Sequence, residues 1–382
     1  MQHSGPGGIR PAATVAGVRR FLVLALLVAG CSGGHTASQP PVVPRQRIAP
    51  PGVLAIGVAG NRLVDGSGAP VRLLGVNRSG TEYACAQGWG IFDGPSNAAS
   101  VAAIAKWHTN VVRVPLNEAC WLDLKAQISP YNPAFTGKNY RDAIIRYVRL
   151  LNAHGLYAIV ELHWNGGGGS LANWQHPMPD AENAPTFWTS VATLFRSDHA
   201  VLFDLFNEPN WNDWSCWQKG CTIWPGSSGA YQAAGMQQLV YAVRSAGASQ
   251  PILLDGIHYS ADLTGWLDHE PTDPKNALVA SPHLYDNPCK TVDCFKSSDT
   301  YHSLGRIAKK VPVVFGELGE NDCSDHFVVP VMQLADDQGF SYLGWAWNTS
   351  SCASFPSLIT KYDGTPTAFG AGFRAHLAAV NP

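Results

Sequence analysis

The chain is poor in charge: Asp, Glu, Lys and Arg make up only 14% of 382 residues, and 26 basic side chains nearly cancel 28 acidic ones. No run of Lys or Arg occurs, which removes the electrostatic footprint of a nucleic-acid binder. The nine cysteines show no Cys-x-x-Cys spacing, and no His-x-His pair occurs, so the usual zinc motifs are missing. The loop Gly166–Ser170 is glycine-rich, but no Lys-Ser/Thr follows it to cradle a phosphate. The turn after Val76 reads Asn77-Arg78-Ser79-Gly80, without the glycine spacing of a dinucleotide site. No cofactor, resident metal or nucleic acid is therefore expected.

The amino terminus reads as an export signal. Arg19-Arg20 precede the aliphatic run Phe21–Ala29, which is too short to span a bilayer and ends in Val28-Ala29-Gly30-Cys31. Small residues before a cysteine at the end of such a core resemble the bacterial lipobox. That resemblance implies cleavage before Cys31 and lipidation of its thiol. Residues 1–30 are then signal, 31–52 a Pro/Ser/Gly-rich tether behind the lipidated Cys31, and 53–382 the folded part. The expected location is extracytoplasmic, either anchored to the envelope or secreted, and the lipid is the only membrane contact. Removing Cys31 leaves eight cysteines in an exported chain, so disulfides are expected. Cys216/Cys221 and Cys289/Cys294 are close in sequence, whereas Cys85/Cys120 and Cys323/Cys352 link neighbouring loops if the fold below is right.

From about residue 53 short apolar strands alternate with amphipathic segments. A hairpin is expected first, pairing Gly60–Leu63 with Val71–Leu74 around Asp65-Gly66-Ser67-Gly68. The strands follow at Leu73–Val76, Val111–Val114, Tyr157–Leu162, Val201–Phe206, Ile252–Leu254, Leu278–Ala280, Val313–Phe315 and Tyr342–Trp345. Helical patterns cover Asn97–Trp107, Tyr140–His154, Pro185–Phe195, Tyr231–Ala246, Thr300–Lys310, Phe327–Gln338 and Phe369–Ala379, with a weaker one at Ala261–Leu267. This alternation, with no second domain or repeat, predicts an α/β fold: a single (β/α)₈ barrel with an N-terminal hairpin and disulfide-tied loops.

In such a barrel chemistry sits at the carboxyl ends of the strands. Those ends carry Arg113, Glu161-Leu162-His163, Asn207-Glu208-Pro209, His283-Leu284-Tyr285, Glu317 and Trp345-Ala346-Trp347-Asn348. Residues two apart share a face of a strand, so each pair adds a lower and an upper group to one side. A core is not normally filled with such residues, because buried charge must be paired. Their convergence predicts a polar mouth, with Glu161 as a buried partner for Arg113. Two carboxylates on the fourth and seventh strands suit glycosidic bond cleavage, one protonated to assist the leaving oxygen and one ionised to attack.

The stretches NVVRVPLNEACW (110–121), AIVELHWN (158–165), FDLFNEPNW (203–211), ASPHLYDN (280–287), VVFGELGE (313–320) and LGWAWN (343–348) together resemble a family 5 glycoside hydrolase. The resemblance implies Glu208 as acid/base and Glu317 as nucleophile of a retaining endo-β-glycosidase. It implies that Asn207 bonds the sugar 2-hydroxyl, Arg113 and Tyr285 hold Glu317, and His163 and His283 line the cleavage subsite. It places Trp347 under the sugar, with a non-proline cis bond expected at Trp347-Asn348 and Trp345 assigned to the core. The expected partner is a polysaccharide, first a β-1,4-glucan and alternatively a mannan or another β-glucan, cleaved by a monomer. A non-catalytic carbohydrate-binding lipoprotein is the alternative from another class.

Overall fold

The computed structural model describes residues 49 and 52–381, apart from 225, 227, 228 and 354. The signal segment and Cys31 therefore lie outside the described residues. Eight parallel strand positions form the centre: β1 (Leu74–Asn77), β2 (Val111–Asn117), β3 (Tyr157–Trp164), β4 (Val201–Asp204), β5 (Ile252–Asp255), β6 (Leu278–Ser281, resuming at His283–Tyr285 past Pro282), β7 (Val314–Gly319) and β8 (Ser341–Gly344). The first half of β6 pairs with β5 and its second half with β7, so the sheet closes on itself through β6. The fold is a (β/α)₈ barrel.

Period-two alternation sorts the barrel interior into levels. The lowest holds Leu73, Val111, Ile159, Leu202, Leu253, Val279, Val314 and Leu343, one from each strand position, all buried together. A hairpin of Ile56–Ala59 and Arg62–Asp65 closes this end, with Ile56 and Leu63 in the same cluster. Two residues further along five of these strands the interior turns polar, at Arg113, Glu161, Asp204, Asp255 and Ser281. A larger apolar layer lies between the sheet and the helices, with Trp107, Trp188, Trp217 and Trp266 in it.

β7 breaks the alternation. Its register against β8 shifts between Phe315 and Leu318, so one extra residue is inserted there. Val314 belongs to the inner cluster and Leu318 to the outer one. The bulge therefore turns Glu317 inward where strict alternation from Val314 would put Leu318. Gly316 makes this possible, since a Cβ there would meet Ser281 Oγ at 2.6 Å and His283 Nε2 at 2.8 Å.

The hairpin differs from the sequence expectation. Its turn is Gly60-Asn61 and its first strand is Ile56–Ala59, while Asp65–Ala69 forms only a tight side turn bridging Val64 to Pro70. The helix expected at Ala261–Leu267 is absent, and that stretch is a series of turns. Asp262 there accepts the Thr264 backbone N–H at 2.7 Å, and His258, Tyr259 and Ser260 all take positive φ. Asp and Ser that satisfy the backbone locally compete with helix formation. The segment expected as one helix from Tyr231 begins with a short strand, Tyr231–Gln232, and turns helical at Met236–Ser245.

All four cysteine pairs, Cys85–Cys120, Cys216–Cys221, Cys289–Cys294 and Cys323–Cys352, are bonded. Each lies in segments that follow the carboxyl ends of strands, so the cross-links gather around the polar end of the barrel. No described helix is long and apolar enough to cross a membrane.

Candidate active site

Arg113, fully buried on β2, organises the polar end. Its Nε donates to Asp204 Oδ2 at 2.8 Å, and one terminal nitrogen donates to Asn77 Oδ1 at 3.0 Å and Glu317 Oε1 at 2.9 Å. The other terminal nitrogen donates to Asn207 Oδ1 at 3.0 Å. Glu161 is a buried ion-pair partner of Arg113 at 3.7 Å, but its closer bond is to His163 Nδ1 at 3.0 Å. One guanidinium thus fixes acceptors from β1, β4 and β7 and the turn after β4.

Glu317 accepts from Arg113 on one oxygen and from the Tyr285 hydroxyl on the other, at 2.5 Å. Glu208 stands across from it, with Oε1 at 3.0 Å from His283 Nδ1. His283 Nδ1 is also 3.6 Å from Glu317, and its Nε2 faces Asp255 Oδ2 at 3.2 Å. Asp255 in turn accepts the Glu208 backbone N–H at 2.9 Å. Glu208, His283 and Glu317 bring one oxygen or nitrogen each within 4.8 Å of one another.

The two carboxyls titrate in opposite directions. Burial raises the Glu208 carboxyl and the nearby Glu317 charge raises it further, against weaker opposition from His283 and His163. Burial alone would raise Glu317 too, but His283, Arg113, His163 and the Tyr285 hydroxyl together bring it below its ordinary value. Burial would lower both histidines. Glu161, Glu82 and Glu317 instead push His163 up to about 9, and Asp255, Glu317 and Glu208 push His283 up to about 9. The arrangement sets side by side one carboxyl made a weaker acid and one made a stronger acid than usual.

The family model for cellulase (glycosyl hydrolase family 5) matches residues 64–351, which contain every one of these groups. The chain belongs to glycosyl hydrolase family 5. It is 21% identical to a mannan endo-1,4-beta-mannosidase of Cellvibrio japonicus (strain Ueda107), over 82% of this chain and 64% of the relative. It is 24% identical to an endoglucanase of Microbulbifer sp. (strain ALW1), over 78% of this chain and 54% of the relative. The chain thus spans about half to two thirds of the length of these relatives. Among solved structures, the fold matches a beta-glucanase from Saccharophagus degradans with a TM-score of 0.64 and 20% identity, covering 86% of this chain and 94% of that one.

Of the residues singled out in the sequence, Arg113, His163, Asn207, Glu208, His283, Tyr285 and Glu317 meet in this family 5 mouth. Trp347 does not. It is fully buried and packs edge-on against Trp107, with ring centroids 4.9 Å apart. Strand β8 ends at Gly344, so the two-residue repeat ends with it; beyond it the Trp347 backbone N–H donates to the Asn77 carbonyl and its ring joins Trp107 in the layer between sheet and helices. Trp345 is the mouth residue instead, its ring parallel to His163 at 5.3 Å. Among the described residues the non-proline cis bond is Trp345-Ala346, in place of the expected Trp347-Asn348. Asp204 and Asp255 join the site as well; each ends a short apolar strand and shares a face with a core leucine two residues earlier. Replacing Trp347 by Ala should cost about 3–5 kcal/mol. Trp345→Ala, which opens onto the mouth, should cost less, and the order of the urea midpoints checks the assignment.

Proposed function

We propose that the chain is a retaining endo-β-glycosidase, acting first on a β-1,4-glucan, with Glu208 as acid/base and Glu317 as nucleophile. The observation that carries this reading is the approach of the two carboxyls, whose oxygens come within 4.8 Å with opposite shifts in acidity. Retaining enzymes hold their carboxyls about 5–5.5 Å apart, whereas inverting ones need about 6.5–9.5 Å to admit a water. Glu317 attacks the anomeric carbon while the bond to the leaving oxygen breaks and Glu208 gives that oxygen its proton. Glu208 then takes a proton from water, whose oxygen displaces Glu317 and frees the sugar. Trp345 offers a face to the sugar, and Asn207 Nδ2 is the amide end directed away from Arg113 and available to the 2-hydroxyl.

A mannan is the second substrate reading, because the relatives include both a mannosidase and an endoglucanase. Product profiling on cellulose, glucomannan, mannan and mixed-linkage glucan separates the two. Glu317→Gln should abolish hydrolysis with the fold intact, and a rate within about tenfold of wild type would sink the assignment. Activity requires Glu317 ionised and Glu208 protonated, so kcat/KM should follow a bell between a depressed and an elevated limb. Tyr285→Phe removes a donor that lowers Glu317, so its acidic limb should move to higher pH. An unmoved limb would contradict the role of Tyr285.

Export and anchoring belong to the same proposal. The four disulfides suit an oxidising compartment outside the cytoplasm. The apolar run ending at Cys31 supports a lipid anchor on a monomeric enzyme. Cys31→Ser should move the protein from the membrane fraction to the soluble fraction, and an unchanged distribution would count against lipidation.

A further inference from the structure

The segment after β3 lies across the Asn207-Glu208-Pro209 turn, and one of its side chains makes three hydrogen bonds to that turn. Gln175 Nε2 donates to the carbonyl oxygens of Asn207 at 3.1 Å and Glu208 at 2.8 Å, and its Oε1 accepts from Asn207 Nδ2 at 3.3 Å. Two residues on, the Pro177 carbonyl accepts the Asn210 N–H at 3.0 Å. Glu208 itself has φ of 49°, in the left-handed region. A non-glycine residue holds that conformation only where its surroundings fix it. Here Asp255 grips the N–H and Gln175 the C=O, so both peptide groups flanking the Glu208 side chain are tied to side chains from other loops or strands.

We propose that Gln175 is a positioning residue for proton donation by Glu208. This role rests on the acid/base reading of Glu208. Gln175 touches no reacting atom in that scheme. It sets the backbone from which the Glu208 carboxyl reaches His283 Nδ1, while Arg113 holds the Asn207 amide through its Oδ1. Asp255 does not replace it, because its carboxylate holds only the N–H side and makes no bond to the peptide that joins Glu208 to Pro209. Releasing the Glu208 carbonyl lets the torsion toward that peptide relax and swings the carboxyl away from the leaving oxygen. A misplacement of about 1 Å is enough to lower a rate by about 100-fold. A glutamine that merely braced two loops would change folding stability and leave the dependence on the leaving group untouched.

The test compares wild type, Gln175→Ala, Gln175→Glu and Glu208→Ala on two substrates. One is the polymer selected by the panel above, and the other is the 2,4-dinitrophenyl β-glycoside of its disaccharide unit. Dinitrophenolate departs without a proton, so its kcat/KM does not need the acid. Gln175→Glu keeps an acceptor toward Asn207 but cannot donate to two carbonyls, and it carries the test if the alanine variant does not fold. The Gln175 variants should lose about 10- to 100-fold in kcat/KM on the polymer and under about threefold on the aryl glycoside, in the same pattern as Glu208→Ala. Equal losses on both substrates, or no loss on the polymer, would overturn the role of Gln175. If Glu208→Ala itself lacks the pattern, the acid/base reading has failed, and this role fails with it.

Discussion

The buried guanidinium of Arg113 is the constraint on which the rest depends. Removing such a charge from water costs several kcal/mol, and the cost is offset only when its donors are matched by well-placed acceptors. Arg113 meets this with Asp204, Asn77, Glu317 and Asn207, and those four lie on three strands and the turn that follows one of them. Breaking such a buried pair typically costs about 3–5 kcal/mol. The barrel must therefore close in the register that brings these residues together. The apolar level beneath, one side chain per strand, supplies the rigid and dry floor on which that polar layer stands.

The asymmetry between the two glutamates follows from where each sits relative to that charge. Glu317 lies on the Arg113 side and receives two hydrogen bonds, so ionisation is favoured despite burial. Glu208 sits across from it, where burial and the nearby Glu317 charge raise it above the usual carboxylate range despite its bond to His283. The β7 bulge is as necessary as the charges. Without the extra residue Leu318 would face the mouth, and no arrangement of partners elsewhere would compensate for a missing carboxylate.

Much of this was legible in the sequence because strand tips obey a period of two. That rule alone puts Glu161 under His163 and Arg113 two residues above Val111, and the alternation of strand and helix patterns is enough to count the barrel. It fails where local chemistry breaks the period. At β7 the odd spacing between Val314 and Glu317 signals a bulge, yet a short apolar run carries no mark of where the extra residue lies. At β8 the strand ends at Gly344, so a period of two carried on to Trp347 points to a ring that is buried against Trp107. Gln175 sits in a loop with no periodicity, and only the packing of that loop over the turn after β4 gives it a place beside Glu208.

Tryptophan shows why the substrate is harder to read than the chemistry. Trp121, Trp188, Trp217 and Trp266 are buried in the packing around the barrel, whereas Trp89, Trp174 and Trp224 are exposed in segments after β1, β3 and β4. Composition cannot separate the two groups, because a large amphipathic ring serves a core and a sugar face equally well. Asn207, by contrast, has no freedom to adapt: Arg113 holds one end of its amide and Gln175 touches the other. Glucose and mannose differ at the 2-hydroxyl that Asn207 would meet. With that donor fixed, a preference for one epimer must come from how the ring is seated against Trp345 and the exposed aromatic faces beyond it. On the proposed reading the fixed polar centre determines what reaction occurs, and the loops that carry those faces determine on which polymer.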